Sequence, residues 1–352
     1  MKMKSTSKRR LGHTDLHLSA LGLGTAGLGE LFEPVDENTA QATLQTAWKQ
    51  GCRYFDTSPF YGHGQAEIRT GRGLYRKDRD DLVVSSKVGR LFRRPKHPDS
   101  FVPDQWIGGL PFEIKFDYSY DGIMRSVEDS YLRLGMNRID VLLIHDLDTW
   151  FHPDSDTLEQ HRKSLLNSGW KALEELKSSG VVGAIGAGLN DRETFGWYLD
   201  HCDVDCFLLA LRYSLLDHDV LDEEFKRCES AGIGIVVGGA FSSGILATGA
   251  IEDAKYNYEK APDDILAKVR RIEAVCCRYD TPLAAAALQF SASHPLVASV
   301  VVGALSPAHV DTNISAFETE IPADLWAELK SEGLLPRHAP VPDQHHISKE
   351  IL

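Results

Sequence analysis

The stretch DGIMRSVEDSYLRLGMNRIDVLLIH, residues 121–145, decides the fold. Asp121 stands ahead of Ile123, Val127, Tyr131 and Leu134, whose spacing of three or four stripes one face of a helix. Gly135 sits where that helix should stop, in the left-handed conformation glycine adopts without steric cost. Residues 139–145 then run apolar as a buried strand and end in His145. A helix turned back into a buried strand is one repeat of an α/β architecture.

The same alternation extends in both directions. Strands are expected at 21–25, 53–56, 82–87, 139–145, 181–186, 206–211, 233–237 and 299–303, and helices at 37–50, 64–75, 121–134, 162–179, 191–200, 218–231, 263–279 and 306–317. Asp36 is placed to cap the first helix, and Gly51, Gly180 and Gly232 repeat the stop made by Gly135. Eight such units most simply close into an α/β (β/α)8 TIM barrel. The 352 residues then form one barrel domain with its core at 10–330, an N-terminal hairpin at 8–19 and a C-terminal tail at 336–352.

The loop at 89–120 breaks the pattern. It carries Pro95, Pro98, Pro103 and Pro111 among Phe92, Phe101, Trp106, Phe112 and Phe116, with no clean period. Long irregular loops in compact domains are commonly functional, and this aromatic content argues against disorder. Leaving the third strand's end, it should lie over the barrel's catalytic face.

Composition narrows the function. With 43% hydrophobic residues the chain can bury a core, and 51 Asp+Glu against 38 Lys+Arg leave a net charge of −13, which argues against nucleic acid as a partner. No apolar run approaches the roughly 20 residues of a membrane span, and the basic start at Lys2, Lys4, Lys8, Arg9 and Arg10 has no apolar signal core behind it. A soluble, cytoplasmic protein with reduced thiols is expected, because Cys52, Cys202, Cys206, Cys228, Cys276 and Cys277 form no zinc-like pair of pairs. His201-Cys202-Asp203-Val204-Asp205-Cys206 and His345-His346 offer no preformed set of ligands, so no metal is expected.

In a barrel, reactive groups gather at the C-terminal strand ends. There the second strand ends in Asp56 and continues to Tyr61, the third ends in Lys87 and the fourth in His145. A tyrosine phenol has a pKa of about 10, and a nearby ammonium should lower it. Lys87 is the candidate ammonium, Asp56 the carboxylate that keeps it charged, Tyr61 the acid/base and His145 the donor that orients a substrate oxygen. Singly, each has a plainer reading: a loop anchor, surface packing, an exposed cation, a satisfied core histidine. Together, at three successive strand ends, they point to proton transfer coupled to hydride transfer.

Residues 51–62 (GCRYFDTSPFYG), Ser86-Lys87 and residues 140–145 (DVLLIH) carry a resemblance to the aldo-keto reductases, extending from about residue 10 to 326. The resemblance implies a barrel that binds NAD(P)H without a Rossmann domain, with Asp56, Tyr61, Lys87 and His145 as its catalytic tetrad. Residues 185–190, 116–122 and 243–249 further resemble a bacterial branch whose members are D-threo-aldose 1-dehydrogenases, L-fucose dehydrogenases or pyridoxal 4-dehydrogenases. It implies a small-molecule substrate and oxidation of a sugar at C1 to the lactone, with pyridoxal oxidation or general aldehyde and ketone reduction as alternatives. A non-catalytic nicotinamide-binding subunit is a further alternative, disfavoured by the intact tetrad. Oligomeric state is left open.

By the same resemblance, Gly24 and Thr25 lie near the nicotinamide, Asn190 holds its carboxamide, and Gly239, Phe241 and Ser243 follow the pyrophosphate. The aromatic residue that stacks on nicotinamide in many relatives is absent after the seventh strand, which leaves Tyr213 as the candidate. NADP-preferring relatives place Lys and Arg where this chain has Gly303, beside Ala304, and His309, so NAD is expected; Asn313 matches the family's adenine-side amide. Trp106, Trp150 and Arg212, with Arg93 and His97, are candidates for a substrate pocket. Residues 22–27 (GLGTAG) fit G-x-G-x-x-G literally, but Leu31-Phe32-Glu33-Pro34 intervenes before any helix, against a Rossmann reading.

Overall fold

Eight short strands alternate with helices through residues 3–103 and 105–342, the residues described by the computed structural model. They are β1 (Leu21–Gly24), β2 (Tyr54–Asp56), β3 (Val83–Val88), β4 (Val141–His145), β5 (Ala184–Leu189), β6 (Cys206–Ala210), β7 (Gly234–Gly238) and β8 (Val297–Gly303). Each pairs in parallel with its successor, and β8 closes on β1 through pairs such as Gly303 with Gly24. This is the expected (β/α)8 barrel.

Local signals explain the helix ends. Asp36 accepts from Thr39 N at 3.1 Å and caps the helix Glu37–Lys49. The decisive helix Tyr120–Leu134 is capped by Ser119, whose side chain accepts from Gly122 N, and ends at left-handed Gly135. Gly232 closes the helix Glu224–Ala231 in the same way. After β1, a short 3-10 turn over Gly27–Gly29 takes the place of a Rossmann helix.

Two departures have physical causes. β5 lies three residues beyond its expected position, because Val181 and Val182 donate back to Leu176 O as the exit from the preceding helix. The glycines that hid the strand serve packing: a Cβ on Gly186 would meet Cys206 O at 1.8 Å. Helix Leu283–Ser291, which period alone misses, is buried at every position from Ala285 to Ser291, so it has no exposed face to set a period. Helix Ala323–Ser331 was likewise not anticipated. The expected helix at 162–179 is two helices, Ser155–Ser164 and Trp170–Ser178, joined by a π turn.

The N-terminal hairpin pairs Lys8–Arg10 with His17–Ser19. Its Leu11 and Leu18, both fully buried, pack with Tyr54, Val141, Leu143, Ala184, Cys206 and Val236 as an apolar plug inside the barrel. The loop after β3 folds an antiparallel ribbon, Arg90–Arg93 on Glu113–Phe116, and buries Trp106. Leu110 N donates to Gly62 O and Trp106 bridges to Leu31, so this loop is fastened beside Tyr61. Of the expected tail, residues 343–352 and with them His345 and His346 lie outside the described residues.

Candidate active site

The barrel interior changes from apolar to polar toward the strands' C-terminal ends. Asp56 pairs with Ser85 on the neighbouring strand and Lys87 follows two residues later on the same face, since strand side chains alternate. Lys87 Nζ donates to both Asp56 oxygens at 2.9 and 2.7 Å and to Thr57 O at 2.9 Å. Ser85 Oγ donates to Asp56 at 2.7 Å, and Tyr54 is hydrogen-bonded to Ser85. The lysine stem runs past Gly188 on β5, where a Cβ would fall in ordinary contact 3.6 Å from Lys87 Cε. The lysine is almost wholly buried, and its charge is spent on a buried carboxylate.

Tyr61 begins a 3-10 turn over residues 61–64, and the Lys87 ammonium lies 4.7 Å from its ring centre. Its ring centre is 5.9 Å from that of His145 and 5.7 Å from that of Trp106. The structure thus gathers Asp56, Tyr61, Lys87 and His145 into one cluster. The phenol's acidity runs against expectation: burial pushes the Tyr61 pKa well up, and the Asp56 and Asp146 carboxylates push the same way. Loss of hydration is the main cause, and the ammonium that was to lower the pKa is itself bonded to the Asp56 carboxylate.

His145 is buried and held from both sides. Its Nδ1 is 2.9 Å from Ser58 Oγ and its Nε2 3.1 Å from Asp146 Oδ2. Burial drives the imidazole pKa well below its usual value, with the Arg90 and Lys87 cations adding to the effect, so the ring is neutral. Behind it Arg90 donates to Asp146 at 2.6 Å while its guanidinium lies 3.9 Å from the Phe60 ring centre and 4.4 Å from that of Phe151. Asn190, just beyond β5, donates to both Asp146 and Asp148 at 2.9 Å. Burial raises the Asp146 carboxyl to about 7, against the pull of Arg90.

Sequence reasoning missed Arg90, Asp146 and Asp148, although Asp146 directly follows His145 and Arg90 comes three residues after Lys87. Extending the inventory two or three residues past each strand would have found all three.

The other expected residues divide. Thr25 is buried at the end of β1, donating to Asp56 O, and Gly24 pairs with Asp56. Trp106 is buried against Phe60, its indole nitrogen without a hydrogen-bond partner among the described residues. Trp150 is part-exposed, with the Arg212 guanidinium 5.2 Å from its ring centre; Arg212 also donates to Asn257 at 2.6 Å. Arg93 is exposed and ion-paired with Glu113, and His97 is exposed. Tyr213 must be withdrawn as the stacking residue, because it is fully buried among Phe225, Phe290 and His294 and no flat ligand can reach its face.

The loop after β7 suits an extended phosphate-bearing cofactor. Backbone at Gly239, Ser242, Ser243 and Gly244 is left-handed, and Cβ atoms at Gly244 and Gly303 would meet open space. Phe241 is half-buried and Ser243 accepts from Tyr258 N at 2.9 Å. Gly303 and His309 are exposed near the first turn of helix Pro307–Phe317, with Ala304 buried between them and Asn313 donating to Gly303 O at 3.1 Å. Among the described residues no group of three or more His, Cys, Asp and Glu could hold a metal ion, and no helix is long and apolar enough to cross a membrane.

A polar cluster at the C-terminal mouth of a closed eight-stranded barrel defines the class as a barrel enzyme. The chain belongs to the aldo/keto reductase family, whose profile matches residues 20–332, and is an NAD(P)-dependent oxidoreductase. It is 41% identical to a pyridoxal 4-dehydrogenase of Microbacterium luteolum over 95% of this chain and 100% of that one. It is 39% identical to a D-threo-aldose 1-dehydrogenase of a Pseudomonas species, covering 91% and 96% of the two chains. The structure resembles the holo form of an aldo-keto reductase from Bacillus halodurans, with a TM-score of 0.72 at 27% identity, covering 97% of this chain and 99% of that one.

Proposed function

We propose that the protein oxidises an aldose of the L-fucose or D-threo type at C1, using NAD and releasing the lactone. The observation that carries this reading is the cluster at the barrel mouth, where Tyr61 lies over the Asp56–Lys87 pair and beside a neutral His145. Tyr61 takes the proton of the C1 hydroxyl as the carbon–oxygen double bond forms, and the C1 hydrogen leaves as hydride. His145, as a neutral donor, holds the reacting oxygen. NAD, when bound, would supply the hydride acceptor, and its cationic ring would favour the tyrosinate that burial and the carboxylates disfavour. The residues that would hold it are Gly24, Thr25, Asn190, Gly239, Phe241, Ser243, Gly303, Ala304, His309 and Asn313. The absence of Lys and Arg at positions 303 and 309 supports NAD over NADP, because a 2′-phosphate needs charge-assisted hydrogen bonds. Trp106, Trp150 and Arg212 would line the substrate side.

Oxidation of pyridoxal to its 4-lactone is the second reading, favoured by the relative at 41% identity. NADH formation followed by absorbance separates the two, with NAD and NADP paired in turn with L-fucose, D-arabinose, L-galactose and pyridoxal. Sugar oxidation with NAD supports the first reading, and pyridoxal oxidation alone replaces it with the second. Tyr61→Phe should abolish most turnover while NAD binding persists; full turnover by that variant removes Tyr61 from its role.

A further inference from the structure

Asp146 is a buried carboxyl that the proton and hydride transfers do not use. It is held on three sides, by Arg90 Nη2 at 2.6 Å, Asn190 Nδ2 at 2.9 Å and His145 Nε2 at 3.1 Å. Its backbone is left-handed at φ 48°, uncommon for a residue with a side chain, and is fixed by donation to Gly188 O.

Ser58 Oγ lies 2.9 Å from His145 Nδ1, which leaves Nε2 as the ring nitrogen beside Asp146 Oδ2, 3.1 Å away. In the reading of His145 as donor, Nδ1 accepts the Ser58 hydroxyl and Nε2 carries the hydrogen for the substrate oxygen. Asp146 Oδ2 accepts from Arg90 at 2.6 Å, and its second lone pair suits a hydroxyl bound beside that oxygen. Two oxygens on adjacent carbons stand about one hydrogen-bond length apart, the separation between Nε2 and Oδ2.

We propose that Asp146 is a specificity-determining residue, a fixed acceptor for the hydroxyl on the carbon next to the reacting one, so that the site selects 2-hydroxy carbonyl compounds and their hemiacetals over plain ones. The proposal rests on the reading of His145 as the donor to the reacting oxygen. It deepens the sugar assignment, since every unmodified aldose carries that hydroxyl.

The test compares lactaldehyde with propanal, which lacks only the 2-hydroxyl, in the reductive direction with NADH. The expected kcat/KM ratio in the parent favours lactaldehyde by roughly tenfold to a hundredfold. In Asp146→Asn, and in Arg90→Met/Asp146→Asn, which removes both buried charges should the single variant fold poorly, that ratio should fall at least about tenfold. A ratio that stays constant, or equal losses on both aldehydes, overturns the proposal, because a purely structural role moves both together. Saturation-transfer NMR on the cofactor-loaded protein judges Asp146 separately from turnover. D-arabinose should give stronger contact than 2-deoxy-D-ribose, and the difference should vanish in Asp146→Asn. Equal contact from the two sugars in the parent overturns the proposal. Absence of all turnover with a normal binding difference instead rejects the catalytic reading of Tyr61 and leaves Asp146 supported.

Discussion

Replacing Lys87 by methionine removes the cation beneath Tyr61 while keeping most of its stem. Three contacts vanish, at 2.9 and 2.7 Å to Asp56 and 2.9 Å to Thr57 O. Asp56, 3% exposed, then keeps Ser85 Oγ at 2.7 Å as its side-chain donor. Breaking one side of a buried ion pair costs about 3–5 kcal/mol, because the remaining charge has neither water nor partner. Lys87→Met is therefore expected to lose about 3–5 kcal/mol of stability. Asp56→Asn/Lys87→Met leaves no charge stranded, so it should lose less than the sum of the two single variants, with a coupling of about 2 kcal/mol. Urea unfolding at neutral pH, followed by circular dichroism and compared at a common slope, measures all four corners of the cycle. A loss below about 1 kcal/mol for Lys87→Met, or an additive cycle, would refute the claim that this pair is closed and dry in solution.

Three further outcomes follow from named contacts. Gly303→Lys with His309→Arg should raise the NADP to NAD ratio of kcat/KM, since Gly303 is exposed with open space around it; an unchanged ratio rejects this reading of β8. Tyr213→Phe should leave cofactor affinity unchanged, measured by quenching of protein fluorescence, and should hold or raise stability, because its hydroxyl is buried without a partner among the described residues. Acidification should expose His294, whose pKa burial lowers from 6.5 to about 4. Between those values the unfolded chain binds the proton more readily than the folded one, so this histidine's stabilisation is lost as pH falls through that window. His152 acts in the same direction, while Asp146, raised to about 7, acts in the opposite one. The difference between parent and His294→Asn therefore isolates the effect, and parallel urea midpoints from pH 6.5 down to 4.5 would contradict it.

The barrel was legible because each unit carries its own punctuation. The stripe from Ile123 to Leu134, the stop at Gly135 and the strand ending at His145 are local properties of the chain, and alternation repeated eight times leaves few other closures. Asp56, Tyr61, Lys87 and His145 could be found together for the same reason, since each lies at or just beyond a strand end and the barrel brings those ends to one mouth. Periodicity failed where burial is total or glycine replaces a side chain, in Leu283–Ser291 and β5, because there the sequence holds no contrast between faces.

What only the tertiary structure decided is how deeply each group is buried and which remote charges reach it. Sequence paired Lys87 with Asp56 near Tyr61 but could not weigh the burial of the phenol, and so misjudged the direction of its pKa. It offered Tyr213 as the ring to stack on nicotinamide, where packing against Phe225 and Phe290 encloses it. Asp146 gained its significance from Arg90, 56 residues earlier, and Asn190, 44 residues later. Short-range order is written in spacing along the chain, whereas the field at a buried atom sums contributions from groups that meet only when the barrel closes.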